Sequence, residues 1–171
     1  MGLVNILEGN IYIRTALGQE GEQFKVYKIR TMEPNADSRY KELVSANGLD
    51  ELGKPADDDR ILPRRRFLRR YGIDELPQIY NIFKREMSLV GIRPKDKEAW
   101  SFFPEDHIRR ALKHKPGLMG VNYARLNSSL DEMMESESQY LDKKEEHPLL
   151  TDIEYFFRIL YQIIFCGLRS K

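Results

Sequence analysis

The chain has 171 residues and 41% hydrophobic composition, with nine Tyr, eight Phe and one Trp, which describes a single globular domain and excludes a disordered or collagen-like chain. A lone cysteine, Cys166, excludes an intramolecular disulfide and fits a reducing compartment. The formal charge of +1 speaks against a generic polyanion binder, but it averages six Arg and no acid between Arg60 and Arg70 with seven acids and two Lys between Asp131 and Glu146.

Met1 to Glu8 lacks a basic n-region and a long apolar core, so no signal peptide is read. Ile6 stands where a myristoylation motif requires Ser or Thr. Ile11–Ile13 and Phe24–Arg30 are predicted strands of a hairpin, joined through Gly18 and Gly21. Residues 33–58 form a polar excursion around a short helical candidate, Ser38–Ala46, and end near Asp57-Asp58-Asp59, consecutive acids expected to be solvated. Ile61–Arg70 is a predicted basic helix. Apolar residues at 76, 79, 80, 83 and 87 follow the spacing of an amphipathic helix starting at Leu76. A helix is predicted over Pro104–Lys113, then a turn at Lys115-Pro116-Gly117. Two longer helices follow, acidic Ser129–Lys144 and apolar Thr151–Leu168. In the last, Glu154, Arg158 and Gln162 form one narrow polar stripe. Such a helix is either packed on the core or a second subunit, or laid on a membrane interface. No run of about 20 apolar residues marks a spanning helix. His107, His114 and His147 have no metal-ligand spacing.

The densest chemistry lies between Arg69 and Gln78, around Asp74-Glu75-Leu76-Pro77. Pro is tolerated in the first turn of a helix, which places Asp74 near a predicted N-cap. An N-cap carboxylate is ordinary helix chemistry, and the same helix start would also favour an anion. Lys28 and Arg30 share one face of their strand because side chains alternate.

Several separately spaced blocks occur in order: Phe24–Met32, Arg66-Phe67-Leu68-Arg69, Asp74-Glu75-Leu76-Pro77-Gln78, Met87–Pro94 and Lys115-Pro116-Gly117. This series resembles the bacterial sugar transferase family, small monotopic phosphoglycosyl transferases that begin lipid-linked glycan assembly. The match is strong from residue 24 to about 120 and looser beyond. The resemblance implies transfer of a sugar-1-phosphate from a UDP-sugar to polyprenyl phosphate with release of UMP. It implies Asp74 as nucleophile carrying a phosphosugar, Glu75 with Asp74 holding Mg2+, and Arg69 and Arg93 on phosphates. Lys28 and Arg30 would add two cations to the same site. Arg grips phosphate oxygens bidentately and offsets the repulsion between an attacking carboxylate and a diphosphate.

The chain departs from the family pattern at four places. By the resemblance, the sequence is expected to start after the hydrophobic re-entrant helix with which family members begin. Ile92 replaces the first Pro of Gly-Pro-Arg-Pro, and Leu118-Met119-Gly120-Val121-Asn122-Tyr123 replaces a block rich in Thr, Gly, Trp and Gln. Arg14–Gly18 does not match the Gln and Arg usual before the first Gly turn. The expected fold is α+β, a mainly helical single domain over 1–171 with a short N-terminal β-hairpin and an apolar helix at 151–168. The expected setting is peripheral, on the cytoplasmic face of the bacterial inner membrane, or cytoplasmic if an anchor is absent. A second copy or a membrane subunit is a further expected partner. The alternatives are a non-catalytic relative acting as an assembly partner and a module using Arg60–Arg70 on nucleic acid, which the family resemblance disfavours.

Overall fold

Strands β1 (Ile11–Leu17) and β2 (Gln23–Ile29) form an antiparallel hairpin in register Tyr12 with Lys28, Arg14 with Val26 and Ala16 with Phe24. These coordinates belong to a computed structural model, which describes residues 10–33, 36, 38–39, 45, 60–125 and 129–165. Alternation puts those six residues on one face. Its far end is apolar: Ala16, Phe24 and Val26 bury against Met87, Ile82 and Leu118. Its near end is cationic, and this division places Arg14 and Lys28 beside the dyad. The first strand is longer than predicted because this core reaches Ala16.

The predicted basic helix is a 3-10 turn over Pro63–Arg65 followed by α1 (Arg66–Arg70). Gly72, at φ 67°, reverses the chain and opens a second 3-10 segment, Ile73–Gln78, which runs into α2 (Ile79–Phe83). The amphipathic helix predicted from Leu76 is corrected on two counts. It lasts five residues as an α-helix before Arg85 turns to φ 62°, and its polarity is inverted. Gln78 and Asn81 are fully buried, whereas Leu76, Ile79, Tyr80 and Phe83 face outward, Phe83 at 82% exposure. The reason lies in what the segment covers. Asn81 Nδ2 donates to the Lys25 carbonyl at 2.7 Å, so an amide is buried to dock the segment on β2.

Strand β3 (Ser88–Gly91) pairs in parallel with β4 (Gly117–Gly120), a second sheet that the sequence pattern did not predict. Gly117, expected as part of a turn, begins β4. A Cβ there would collide with the Gly91 backbone, so the two strands require glycine at this crossing. Between these strands lie α3 (Lys97–Trp100), N-capped by Asp96, and α4 (Glu105–Ala111). After a 3-10 turn at Val121–Ala124, α5 (Leu130–Glu146) starts on a Ser129 cap and α6 (Pro148–Phe165) returns antiparallel. Pro148 suits a first helical position, which moves the start of α6 one turn ahead of the predicted Thr151. The fold is thus mixed α+β and mainly helical, with the predicted hairpin.

The main core joins Val90, Ile92, Trp100, Val121, Leu141 and Ile159 across β3, α3, the 121–124 turn, α5 and α6. Tyr140 and Tyr155 meet edge to face at 4.9 Å, and the Tyr140 hydroxyl donates to Asp152 at 2.9 Å. Only one side of α6 is used in this way, through Thr151, Tyr155 and Ile159. On the opposite side Leu149, Ile153, Phe157, Tyr161 and Ile164 are exposed at helical spacing. The helical candidate at 38–46 lies largely, and Asp57-Asp58-Asp59 wholly, outside the described residues, as do residues 166–168.

Candidate active site

A cleft of about 360 Å³ opens between β2, the 73–78 segment and the 121–124 turn. Its lining brings together all six residues singled out from the sequence: Lys28, Arg30, Arg69, Asp74, Glu75 and Arg93. Lys28 arrives from β2, Arg69 from α1 and Arg93 from the loop after β3.

The two acids of the dyad have opposite fates. Glu75 accepts from Lys28 Nζ at 2.9 Å and from Arg93 Nη1 at 2.6 Å, while Arg93 Nη2 also donates to its Oε1. Burial alone would raise the Glu75 pKa, but Arg93 and then Lys28 hold it down to about 2. Asp74 is 7% exposed and enters no ion pair among the described residues. Burial and the adjacent Glu75 charge raise its pKa, against the opposing pull of Lys28 and Arg69. Asp74 lies in the first turn, near the N-cap as Pro77 predicts, but is not the cap itself. Gly72 occupies that position without a side-chain cap, because its left-handed backbone starts the 3-10 segment two residues earlier.

The cations outnumber what Glu75 can neutralise. Lys28 and Arg93 share its one charge. Burial lowers the Lys28 pKa, and Arg93 and Arg14 repel its charge further. Arg30 and Arg69 add two more positive charges to the cleft, while Glu33 is turned to Arg39 at 3.1 Å. A bound anion with several oxygens is the ligand such a surplus favours.

Arg93 is held from three sides. Its Nη1 donates to the Leu118 carbonyl at 3.2 Å, and its guanidinium lies 5.7 Å from the Tyr123 ring centre. Gly117 N donates to the Ile92 carbonyl at 2.8 Å, and Ile92 is buried, so the residue standing in place of Pro anchors the loop by its side chain. Arg14 Nη2 donates to the Pro94 carbonyl at 2.6 Å, and Arg14 pairs with Asp96 at 3.6 Å.

The sequence pattern does not mark Arg14, Tyr12, Thr31, Asn122 or Tyr123 as site residues. Arg14 braces the loop, and the other four line the cleft. Tyr12 is readable in retrospect as the cross-strand partner of Lys28, and its ring lies 5.8 Å from Arg30. Asn122 and Tyr123 belong to the block that follows Lys115-Pro116-Gly117. The basic segment, by contrast, does not present one continuous face. Arg60 is buried and donates to the Ala36 carbonyl, Arg65 binds Asn10 and the Arg30 carbonyl, and Arg69 lines the cleft.

Comparison with known proteins matches the chain to the bacterial sugar transferase family over residues 3–166. A galactosyl transferase, CpsE, of Streptococcus agalactiae serotype III is 32% identical over 165 residues, 94% of this chain and 36% of that protein. An undecaprenyl-phosphate galactose phosphotransferase of Salmonella typhimurium is 34% identical over 116 residues, 65% of this chain and 24% of its own length. The exopolysaccharide production protein ExoY of Sinorhizobium fredii is 34% identical over 128 residues, 71% of this chain and 56% of that protein. The chain therefore spans between about a quarter and just over half of these relatives. Because the match runs through every segment that builds the cleft, from β1 to the 121–124 turn, and on to α6, the chain belongs to the bacterial sugar transferase family.

Proposed function

We propose that this chain transfers a sugar-1-phosphate from a UDP-sugar to polyprenyl phosphate, releasing UMP, in the assembly of a lipid-linked glycan. The observation that carries the reading is the unequal treatment of two adjacent carboxylates, Glu75 clamped by two cations and Asp74 left to face the cleft. Neighbouring carboxylates whose environments drive their pKa values apart are suited to different roles. The names of the relatives point the same way, toward galactosyl and undecaprenyl-phosphate galactose transfer.

In this reading an oxygen of Asp74 attacks the sugar-bearing phosphorus, the bond from that phosphorus to UMP breaks, and the phosphosugar stays on Asp74. An oxygen of the acceptor phosphate then attacks the same phosphorus and frees the Asp74 carboxylate. Arg69, Arg93, Lys28 and Arg30 neutralise phosphate oxygens in both halves. Glu75 holds Arg93 and Lys28 in place and keeps them from collapsing onto Asp74.

Mg2+ takes oxygen ligands and is usually held by one or two carboxylates together with substrate phosphates. Asp74 fits that donor set. Glu75 would join it by giving up one of its two cations, and no group of three metal-ligating side chains occurs among the described residues. When bound, the ion supplies further neutralisation of the diphosphate.

The site belongs on a membrane surface in this reading. No helix among the described residues is long and apolar enough to cross a membrane. The outward residues of α2 and the free side of α6 form apolar surface suited to lying on the cytoplasmic leaflet of the bacterial inner membrane.

Intact-mass measurement after incubation with a panel of UDP-sugars and Mg2+ tests the reaction. The expected result is a gain of one phosphosugar per chain with stoichiometric UMP, both lost in Asp74→Asn. Neither product across the panel would instead mark the chain as a non-catalytic partner.

A further inference from the structure

A second concavity, about 440 Å³, lies on the other side of the dyad from the polar cleft. Its walls are apolar: Tyr71 and Leu76 on one side, Ile163 and Ile164 of α6 on the other, Leu118 and Met119 of β4 at the base. Three residues, Glu75, Arg93 and Tyr123, line both this groove and the cleft. A molecule lying in the groove therefore has one end at the dyad.

The two ends of the groove differ in character. The dyad end carries Arg93, and Arg70 stands on the wall, exposed and without an ion pair among the described residues. The α6 wall continues into the exposed apolar side of that helix, where Ile164 is 59% exposed. Burying an extended hydrocarbon against these side chains removes apolar surface from water on both partners. The Arg pair favours an anionic group at the other end. An amphiphile with a small phosphate head and a single long branched chain matches this division of chemistry.

We propose that the groove between α6 and the dyad turn holds the isoprene units nearest the phosphate of a polyprenyl phosphate acceptor, with Arg70 on that phosphate. This rests on the sugar-1-phosphate reading above and adds the place of the second substrate. The donor occupies the cation-rich cleft, the acceptor lies in the groove, and the shared wall of Glu75, Arg93 and Tyr123 is where they meet. The acceptor oxygen then reaches the phosphorus on Asp74 from the groove side. A phosphorus–oxygen bond to the acceptor forms as the one to Asp74 breaks, with no further reactant.

The test separates the two halves. With a UDP-sugar that loads Asp74, Ile163→Gln and Arg70→Gln are expected to form the adduct in wild-type amount. Both are expected to raise the KM for undecaprenyl phosphate tenfold or more while the donor KM stays unchanged. Unchanged acceptor KM in both variants would overturn the groove assignment while leaving the adduct chemistry intact. An independent arm needs no turnover. Farnesyl phosphate carrying a diazirine at its tail is photolysed with the full chain and the labelled peptides are mapped. Label on residues 118–123 and 159–164, competed by undecaprenyl phosphate but not by a dioleoyl phosphatidylglycerol vesicle, supports the proposal. Label confined to residues 149–157, or displaced equally by the phospholipid, overturns it. Loss of the adduct in wild type with retained labelling would remove the transfer reaction and keep the lipid site.

Discussion

Two largely buried carboxylates, Glu75 and Glu137, each hold two basic groups, the first including Arg93 and the second Lys95, the residues on either side of Pro94. Glu75 binds Lys28 and Arg93 at the mouth of a cleft. Glu137 of α5, 1% exposed, binds Lys95 at 2.8 Å and the His107 ring at 3.0 Å. Lys95 is closed in by Trp100 and Phe103, whose ring centres lie 4.5 and 4.6 Å from its ammonium. The parts are nearly the same, and their surroundings decide what they do. The sealed cluster has no room for a ligand and ties the loop after Arg93 to α5. The open cluster keeps more positive charge than its carboxylate can cancel, so it remains able to bind phosphate. Burial with full pairing makes a structural joint, whereas partial exposure with surplus charge makes a site.

The comparison breaks most readily at Arg93. Arg93→Ala is expected to lower kcat/KM by about 10²- to 10³-fold, the scale of losing one preorganised charge-stabilising donor, with a smaller change in Tm. Glu137→Ala is expected to do the reverse. Leaving Lys95 buried and unpaired costs about 3 kcal/mol or more, a Tm drop on the order of 10 °C in thermal unfolding. Activity per folded molecule should change little. If the two substitutions moved Tm and activity in the same proportion, the division into joint and site would be wrong.

Acidification sharpens the contrast further. The Glu75 pKa in the folded chain is about 2, below its ordinary 4.5, so its contribution to stability is present above about pH 4.5 and lost as pH falls toward 2. That contribution is about 3 kcal/mol. Asp74 acts in the opposite sense, its raised pKa favouring the protonated folded form as pH falls. Glu75→Gln is expected to flatten the acid limb of the denaturation profile between pH 4.5 and 2. It should also move the acid limb of the pH–rate profile downward, because Glu75 is one cause of the raised Asp74 pKa. An unmoved limb would show that Asp74 does not set it. The smallest expected effect is at Arg14, which braces Pro94 and Asp96 from β1 without lining the cleft. Arg14→Lys should lower kcat by about three- to tenfold with donor KM near wild type, measured by UMP release.

The site was legible to the extent that it is carried by short ordered blocks. Asp74-Glu75, Arg69 and Arg93 could be named from their motif positions, alternation put Lys28 and Arg30 on one strand face, and all six line the cleft. The helices α4 and α5 were legible with starts at Pro104 and Ser129, and α6, although its first turn at Pro148 was missed, was legible from its narrow polar stripe. Tyr12 and Tyr123 were not, since nothing local indicates that a strand partner and a residue 30 positions beyond Arg93 share a cleft. The segment after the dyad misled for a physical reason: hydrophobic spacing signals a face, but not which way the face points. Here a buried amide on a strand carbonyl outweighs the usual preference and turns Leu76, Tyr80 and Phe83 outward.

The sequence by itself determined the elements and the chemical parts, because strand alternation, caps, proline and adjacent carboxylates act over a few residues. Tertiary structure decided how those parts differ. Lys28 lies 47 residues from Glu75 and Arg93 lies 18, yet both close on one carboxylate and leave its neighbour open. Their distances, their burial and the resulting split of two adjacent acids depend on how β2, the dyad turn and the β3 loop pack, and electrostatic strength follows that packing rather than position along the chain.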